Sequence, residues 1–215
     1  MKKLFTIFAL ALVTLSISAQ DFKKFRFGPV AGINVAKVTN TDMRMGFNAG
    51  VRAEYNITDN YYLGSALMFT QKGYRDDWAV TDGTNIYAAK LNANPGYIEI
   101  PINAGYRYTF SNKLSLFAEF GPYFAYGVCG KYSNSYLEGS ADFFGDEGTA
   151  FATSMLFANL IGEVNPNRFE CGLGVIAGLE YANVQLRLGY EFGLTKVYSA
   201  GLKSKTLTIS AAYLF

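Results

Sequence analysis

The stretch Leu114-Ser115-Leu116-Phe117-Ala118-Glu119-Phe120-Gly121-Pro122-Tyr123-Phe124-Ala125-Tyr126-Gly127 decides the architecture. One alternating set reads Leu114, Leu116, Ala118, Phe120, Pro122, Phe124, Tyr126. The other reads Ser115, Phe117, Glu119, Gly121, Tyr123, Ala125, Gly127. Successive side chains point to opposite faces only in a strand, so this is a β-strand with one apolar face and one small or polar face.

The same split recurs outward in both directions. Val184, Leu186, Leu188, Tyr190 and Phe192 alternate with Gln185, Arg187, Gly189, Glu191 and Gly193, and Phe47, Ala49, Val51, Ala53 and Tyr55 with Asn48, Gly50, Arg52, Glu54 and Asn56. Ile98, Ile100, Ile102, Ala104 and Tyr106 alternate with Glu99, Pro101, Asn103, Gly105 and Arg107. Eight such segments are expected: 24–36, 45–57, 61–73, 96–110, 114–128, 168–182, 184–195 and 205–215. An even number suits closure of an antiparallel meander. Tight turns at Thr58-Asp59-Asn60, Ser111-Asn112-Lys113 and Asn183 alternate with longer connections over 37–44, 74–95, 129–167 and 196–204. Short turns at one rim and long loops at the other are the pattern of an outer-membrane barrel. About ten residues per strand, tilted near 45°, reach about 23 Å, the height of its apolar band. The fold class is therefore all-β, an eight-stranded antiparallel up-and-down transmembrane β-barrel.

Composition agrees. Of 215 residues, half are hydrophobic, 16% are aromatic and 22 are Gly, and there is no His. Histidine-based acid–base or triad chemistry and His-ligated metal sites are excluded, and two cysteines are too few for structural zinc. No catalytic residue, cofactor or metal site is assigned. Lys2 and Lys3 precede an apolar run from Leu4 to Ile17 that ends in small residues, the form of a cleaved signal peptide over 1–19, with the barrel domain over 20–215. The run is too short for a membrane-spanning helix. Without Lys2 and Lys3, seventeen basic residues balance seventeen acidic ones, which offers nothing for nucleic-acid capture.

Alternation alone does not say which face is outside, so a secreted, lipocalin-like binding barrel with an apolar interior is the competing fold. The polar face decides against it, being crowded with Gly, Ala and Asn and only singly charged, as a tight interior would be. The apolar face carries aromatics towards the strand ends, among them Tyr55, Phe69, Tyr106, Phe124, Tyr181 and Phe192, as interfacial girdles do. Parity then sends Arg26, Arg52, Lys72, Arg107 and Arg187 inward together with Glu54, Glu99, Glu119, Glu180 and Glu191. With the tight turns as register marks, Glu119 falls opposite Gly105, Glu54 opposite Gly64, Arg52 opposite Ala66, Arg187 opposite Gly178 and Glu191 opposite Gly174. Arg107 is expected to pair diagonally with Glu119, Arg187 with Glu180, and Lys72 with Glu99 near the loop-side rim. An eight-stranded barrel is just wide enough for side chains to fill it, so a paired charge network makes a plug.

Cys129 and Cys171 lie at the base of the longest loop, in an oxidising compartment, and a disulfide between them is expected there. Strict alternation puts Cys129 inward and Cys171 outward, so the bond needs a bulge or the end of regular pairing; two free thiols are the alternative. Pro29, Pro101 and Pro122 fall within strands and suggest bulges or local breaks. The loop over 129–167 carries aromatics beside acidic residues. Its Asp142-to-Glu147 stretch lacks the alternating ligands of a calcium loop.

Three motifs carry a resemblance: Phe69-Thr70-Gln71-Lys72-Gly73-Tyr74, Tyr97-Ile98-Glu99-Ile100-Pro101-Ile102 and Gly189-Tyr190-Glu191-Phe192-Gly193-Leu194. With them the chain resembles the small outer-membrane β-barrel family of Bacteroidetes, the PorT-like group labelled "porin family". The resemblance spans nearly the whole mature chain and implies the same eight-stranded fold and a cell outer-membrane location, but no activity. Leu207, Ile209, Ala211, Tyr213 and Phe215 alternate to a terminal aromatic, which resembles the signal read by the barrel assembly machinery, with Tyr213 and Phe215 as its core. The functional expectation is a non-enzymatic outer-membrane barrel, structural, adhesive or docking a partner through its loops. A small channel for ions or solutes is the alternative. Expected partners are outer-membrane lipid, the assembly machinery during biogenesis and an extracellular or envelope protein.

Overall fold

A computed structural model describes residues 24–38, 42–81, 86–111, 113–134, 139–142, 167–196 and 203–215. The expected signal peptide therefore lies outside the described residues. Twelve strands follow in chain order: β1 (Phe25–Val38), β2 (Asp42–Asn56), β3 (Tyr61–Gln71), β4 (Tyr74–Thr81), β5 (Ile86–Ala93), β6 (Gly96–Thr109), β7 (Leu114–Cys129), β8 (Lys131–Asn134), β9 (Gly139–Asp142), β10 (Phe169–Tyr181), β11 (Val184–Gly193) and β12 (Ser204–Tyr213). Among the described residues there is no helix.

Eight of these strands close a ring in the order β1, β2, β3, β6, β7, β10, β11, β12, with β1 pairing both β2 and β12 and every neighbour antiparallel. Closure leaves the ring without an edge, which satisfies the backbone groups that a lipid environment cannot. The eight strands coincide with the eight expected segments to within a few residues at each end.

The faces settle the choice between membrane and soluble barrel. Along β7 exposure alternates residue by residue, and the exposed positions are Leu116, Phe120, Phe124 and Tyr126, while Glu119 is 2% exposed. Elsewhere the outside is Ile33, Leu67, Ile100, Val175, Leu186 and Ile209, and the inside is Arg52, Glu54, Asn103, Arg107, Gln185 and Arg187. Burying the charges and exposing the aliphatics inverts a water-soluble barrel, and only an apolar solvent makes that arrangement favourable. Aromatics ring the turn-side rim, where Tyr61 packs edge-on against Tyr106 at 5.2 Å and Tyr108 against Phe110 at 4.8 Å between ring centres.

Two expectations about the connections change. The segment 74–95 is not a loop: β4 and β5 form a hairpin that continues β2 beyond the rim, with Met43 opposite Tyr74 and Asp42 opposite Arg75. β8 then pairs β5, and β9 pairs β8, so a four-stranded sheet rises from the loop-side rim. Tyr74, Trp78, Val80 and Thr81 are strand-forming residues, and Asp42 facing Arg75 sets opposite charges across the junction. The prolines also act more gently than expected. Pro101 interrupts the β3–β6 ladder and Pro122 the β6–β7 ladder, yet the register is the same on either side of both. The β6–β7 register shift falls instead at Gly96/Tyr97.

Candidate lumen site

The tight turns fix the register of each hairpin, and the register sets what each lumen charge faces. Glu119 lies opposite Gly105, Glu54 opposite Gly64, Arg52 opposite Ala66, Arg187 opposite Gly178 and Glu191 opposite Gly174. Small partners are required where long side chains must lie flat against the wall. A Cβ at Gly64 would stand 2.8 Å from the Arg52 guanidinium, and one at Gly105 would enter the Tyr62 ring.

In the turn-side half of the lumen, four arginines and three glutamates form one connected network. Glu54, on β2, is fully buried and pairs with Arg26 at 2.5 Å, Arg52 at 2.9 Å and Arg107 at 2.5 Å. Glu119, on β7, pairs with Arg52 and with Arg187 at 2.8 Å, and accepts from the Tyr62 hydroxyl at 2.8 Å and the Asn103 amide at 3.2 Å. Glu180, on β10, pairs with Arg26 at 2.6 Å and Arg107 at 3.3 Å. Gln185 donates to both Glu54 and Glu180 at 2.8 Å and accepts from Arg187 at 3.0 Å. The bonds join β1, β2, β3, β6, β7, β10 and β11 across the lumen, so this layer is crossed by side chains from seven of the eight strands.

Two pairings differ from the diagonal neighbours expected. Arg107 binds Glu54 and Glu180, not Glu119, because the Tyr62 ring lies beneath its guanidinium, 4.4 Å from it, and the Tyr62 hydroxyl takes Glu119. Arg187 binds Glu119, not Glu180, which is engaged by Arg26, Arg107 and Gln185. In a lumen this narrow, arginines reach across the barrel as readily as along the wall.

The loop-side half holds a second, opposite cluster. Lys72, 5% exposed, lies 2.6 Å from Glu99, 3.0 Å from Glu191 and 3.4 Å from Glu170, with its ammonium 4.2 Å from the centre of the Tyr123 ring. Glu170 also accepts from the Tyr123 and Ser204 hydroxyls at 2.6 Å each. The expected Lys72–Glu99 neighbours are thus brought together, but Glu170 is a lumen residue that the sequence reading missed. Its signal was present: it shares the parity of Glu180 on the same strand. Asn34 fills the other wall at this height, donating to Thr70 at 2.7 Å and accepting from Asn48 at 2.5 Å and Thr208 at 3.1 Å. Between the two charged layers lies a cavity of about 40 Å³ bordered by Val30, Ala66, Met68 and Ile176 as well as Arg52, Arg187 and Glu191. That is room for one or two waters.

The expected disulfide is absent. Cys129 and Cys171 are both free, and Cys171 sits opposite Phe124, five residues along β7 from Cys129 and roughly 16 Å away by strand rise. No bulge brings them together. Tyr213 and Phe215 lie on the outer face, their rings 5.0 Å apart, and the Phe215 amide donates to the Phe27 carbonyl at 2.9 Å. Among the described residues no three acidic or cysteine side chains are arranged to hold a metal. Of the stretch considered for calcium, Asp142 ends β9, and 143–147 lie outside the described residues.

Residues 17–199 match the family described as outer membrane protein beta-barrel domain. No curated protein sequence matches the chain. Among solved structures, Ail, the attachment invasion locus protein of Yersinia pestis, solved in complex with the heparin analogue sucrose octasulfate, is 15% identical with a TM-score of 0.44, covering 89% of this chain and 99% of that one. Neisserial surface protein A is 17% identical with a TM-score of 0.44, covering 89% and 97%. The N-terminal β-barrel domain of Pseudomonas aeruginosa OprF is 12% identical with a TM-score of 0.39, covering 88% and 97%.

Proposed function

We propose a function from one premise: the chain belongs to the outer membrane protein beta-barrel domain family. It is an outer-membrane barrel that works as a sealed, non-enzymatic scaffold, exported by a signal peptide over 1–19 and displaying its loop-side sheet for structural, adhesive or docking roles. The PorT-like group of Bacteroidetes is the finer assignment.

The observation that carries this reading is the turn-side network. Arg26, Arg52, Arg107 and Arg187 with Glu54, Glu119 and Glu180 fill the lumen cross-section with ion pairs, and the side chains of Glu54 and Glu119 are fully buried. A passing ion would have to part several of these pairs at once, and breaking one buried pair costs about 3–5 kcal/mol. The enzyme reading has no support in the sequence, which lacks His, or in these carboxylates, each saturated by arginines. Four strands, β4, β5, β8 and β9, extend beyond the rim as a contiguous surface, and loops held on a rigid scaffold are where such proteins bind.

The test is single-channel recording of the folded barrel in a planar bilayer, after heat-modifiable gel mobility has established folding. Silence is expected. Steady ohmic steps from the wild-type barrel would overturn the sealed-scaffold reading and favour the small-channel alternative.

A further inference from the structure

The two lumen layers do not balance in charge. Arg26, Arg52, Arg107 and Arg187 exceed Glu54, Glu119 and Glu180 by one on the turn side, whereas Lys72 falls two short of Glu99, Glu170 and Glu191 on the loop side. Together the layers are one positive charge short of neutrality.

No other cation makes up the difference. Arg44 shares the inward parity of Arg52 on β2, but it packs over Gly73 at the rim and forms no ion pair with the three carboxylates among the described residues. Lys90 stands opposite Asp77 in the hairpin beyond the rim, and Lys131 is exposed. The connections 39–41, 82–85, 135–138, 143–166 and 197–202 contain neither Lys nor Arg. A metal ion finds no place, because the Lys72 ammonium already occupies the point where the carboxylates converge. The cavity beside Lys72, Glu170 and Ser204 measures about 10 Å³, room for at most one water. Carboxylates crowded into so dry a layer relieve their repulsion by taking up a proton.

The three carboxylates are not equivalent. Glu170 accepts from the Tyr123 and Ser204 hydroxyls and from Lys72, donors that suit an ion. Glu99 is 1% exposed, and its Oε2, although 2.6 Å from Lys72, receives no well-directed hydrogen bond; the same holds for Oε2 of Glu191, 3.0 Å from Lys72. The cross-strand neighbours of Glu99 are Met68 of β3 and Ala125 of β7, and the inward face of β6 adds buried Tyr97 at this height. Asn34 of β1 is uncharged. Two oxygens that lack a donor and converge on one ammonium are completed by a single proton between them.

We propose that the loop-side layer binds one proton, carried by Glu99 and donated to Glu191, so that Glu99 is a neutral acid in the folded barrel and the lumen as a whole is uncharged. The proton stays only while water is kept from the layer, so the site rests on the sealed-lumen reading.

The test is infrared spectroscopy at neutral pH of the barrel folded in a carbonyl-free detergent, with heat-modifiable mobility read for each sample. Solvated glutamates are ionised under these conditions, so the carbonyl stretch of a carboxylic acid reports a buried acid. The wild type should show one such band, displaced by isotope-labelled glutamate. D59N, changed at an exposed turn, should keep it, and E99Q should lose it while remaining heat-modifiable. No band in the folded wild type would overturn the bound proton, a result that needs no variant to fold. A band that persists in folded E99Q would overturn the assignment to Glu99. Planar-bilayer recording of the same wild-type sample separates the two failures: a silent barrel without the band refutes the proton alone, and a conducting barrel without it refutes the sealed lumen as well.

Discussion

Replacing Glu119 by Gln should cost far more stability than replacing Glu99 by Gln, although both carboxylates are buried and both are paired. The turn-side network holds four arginines against three glutamates, a formal charge of plus one. Glu119 is the only carboxylate bonded to Arg187 among the described residues, and it shares Arg52 with Glu54. In E119Q the network's charge rises to plus two, Arg187 loses its counter-ion, and one carboxylate oxygen becomes an amide that points hydrogens at guanidinium hydrogens. Breaking a buried pair from one side costs about 3–5 kcal/mol. The loop-side cluster is the mirror case, with three glutamates around Lys72. E99Q leaves Lys72 two carboxylates and reduces the excess negative charge, so the change should stay within about 1 kcal/mol of the wild type or stabilise it. The assay is urea unfolding in lipid vesicles, with the folded fraction read from heat-modifiable mobility. At slopes of about 1–3 kcal/mol per molar urea, E119Q should lower the midpoint by on the order of 2 M and E99Q should barely move it. Equal shifts, or a larger one for E99Q, would refute the reasoning that charge balance within each layer sets the cost.

Ala182 closes the β10–β11 hairpin at a φ of 51°, a left-handed conformation that costs a residue with a Cβ roughly 1 kcal/mol, so A182G should raise the urea midpoint by the equivalent of about that amount. Tyr62→Phe removes the hydroxyl bonded to buried Glu119 and should destabilise by about 1–3 kcal/mol in the same assay, whereas Tyr61→Phe, exposed at the rim, should not. Gly105→Val drives a side chain into the Tyr62 ring and should lower the yield of folded barrel or cost about 1–3 kcal/mol where it folds. Maleimide titration of the denatured, unreduced protein should count two thiols; a count of zero would mean that Cys129 and Cys171 are bonded and that the loop-side end of β7 rearranges to allow it.

Most of the barrel was legible in the sequence because strand geometry writes itself into alternation and short turns leave no freedom of register. Asn183 and Ser111-Asn112-Lys113 fix their hairpins, and each fixed hairpin places a charge against a glycine: Arg187 with Gly178, Glu119 with Gly105. What alternation cannot encode is contact across the closed ring. Arg107 and Glu54 lie on strands that are not neighbours, and their pairing exists only once the barrel closes and Tyr62 blocks the nearer carboxylate. The cysteines show the same limit, since their separation depends on how far β7 and β10 overlap, which the intervening long loop leaves undetermined. The sheet above the rim went unread for another reason: β4 and β5 lack a clean apolar face, and the signal remaining was strand propensity alone.

The two charged layers also bear on why the proposed plug would seal the lumen and not merely narrow it. A single neutral plug would suffice to fill the space, yet the barrel places an arginine-rich layer at the turn side and a carboxylate-rich layer at the loop side, with Val30, Ala66, Met68 and Ile176 bordering the small cavity between. An anion entering from the loop side meets the carboxylates first, and a cation entering from the turn side meets the arginines first. Each sign is opposed at one mouth and held at the other. Conduction would require both layers to open together. Lumen substitutions should therefore register as stability before they register as permeability, and a variant that conducts should be one that has already lost much of its resistance to urea.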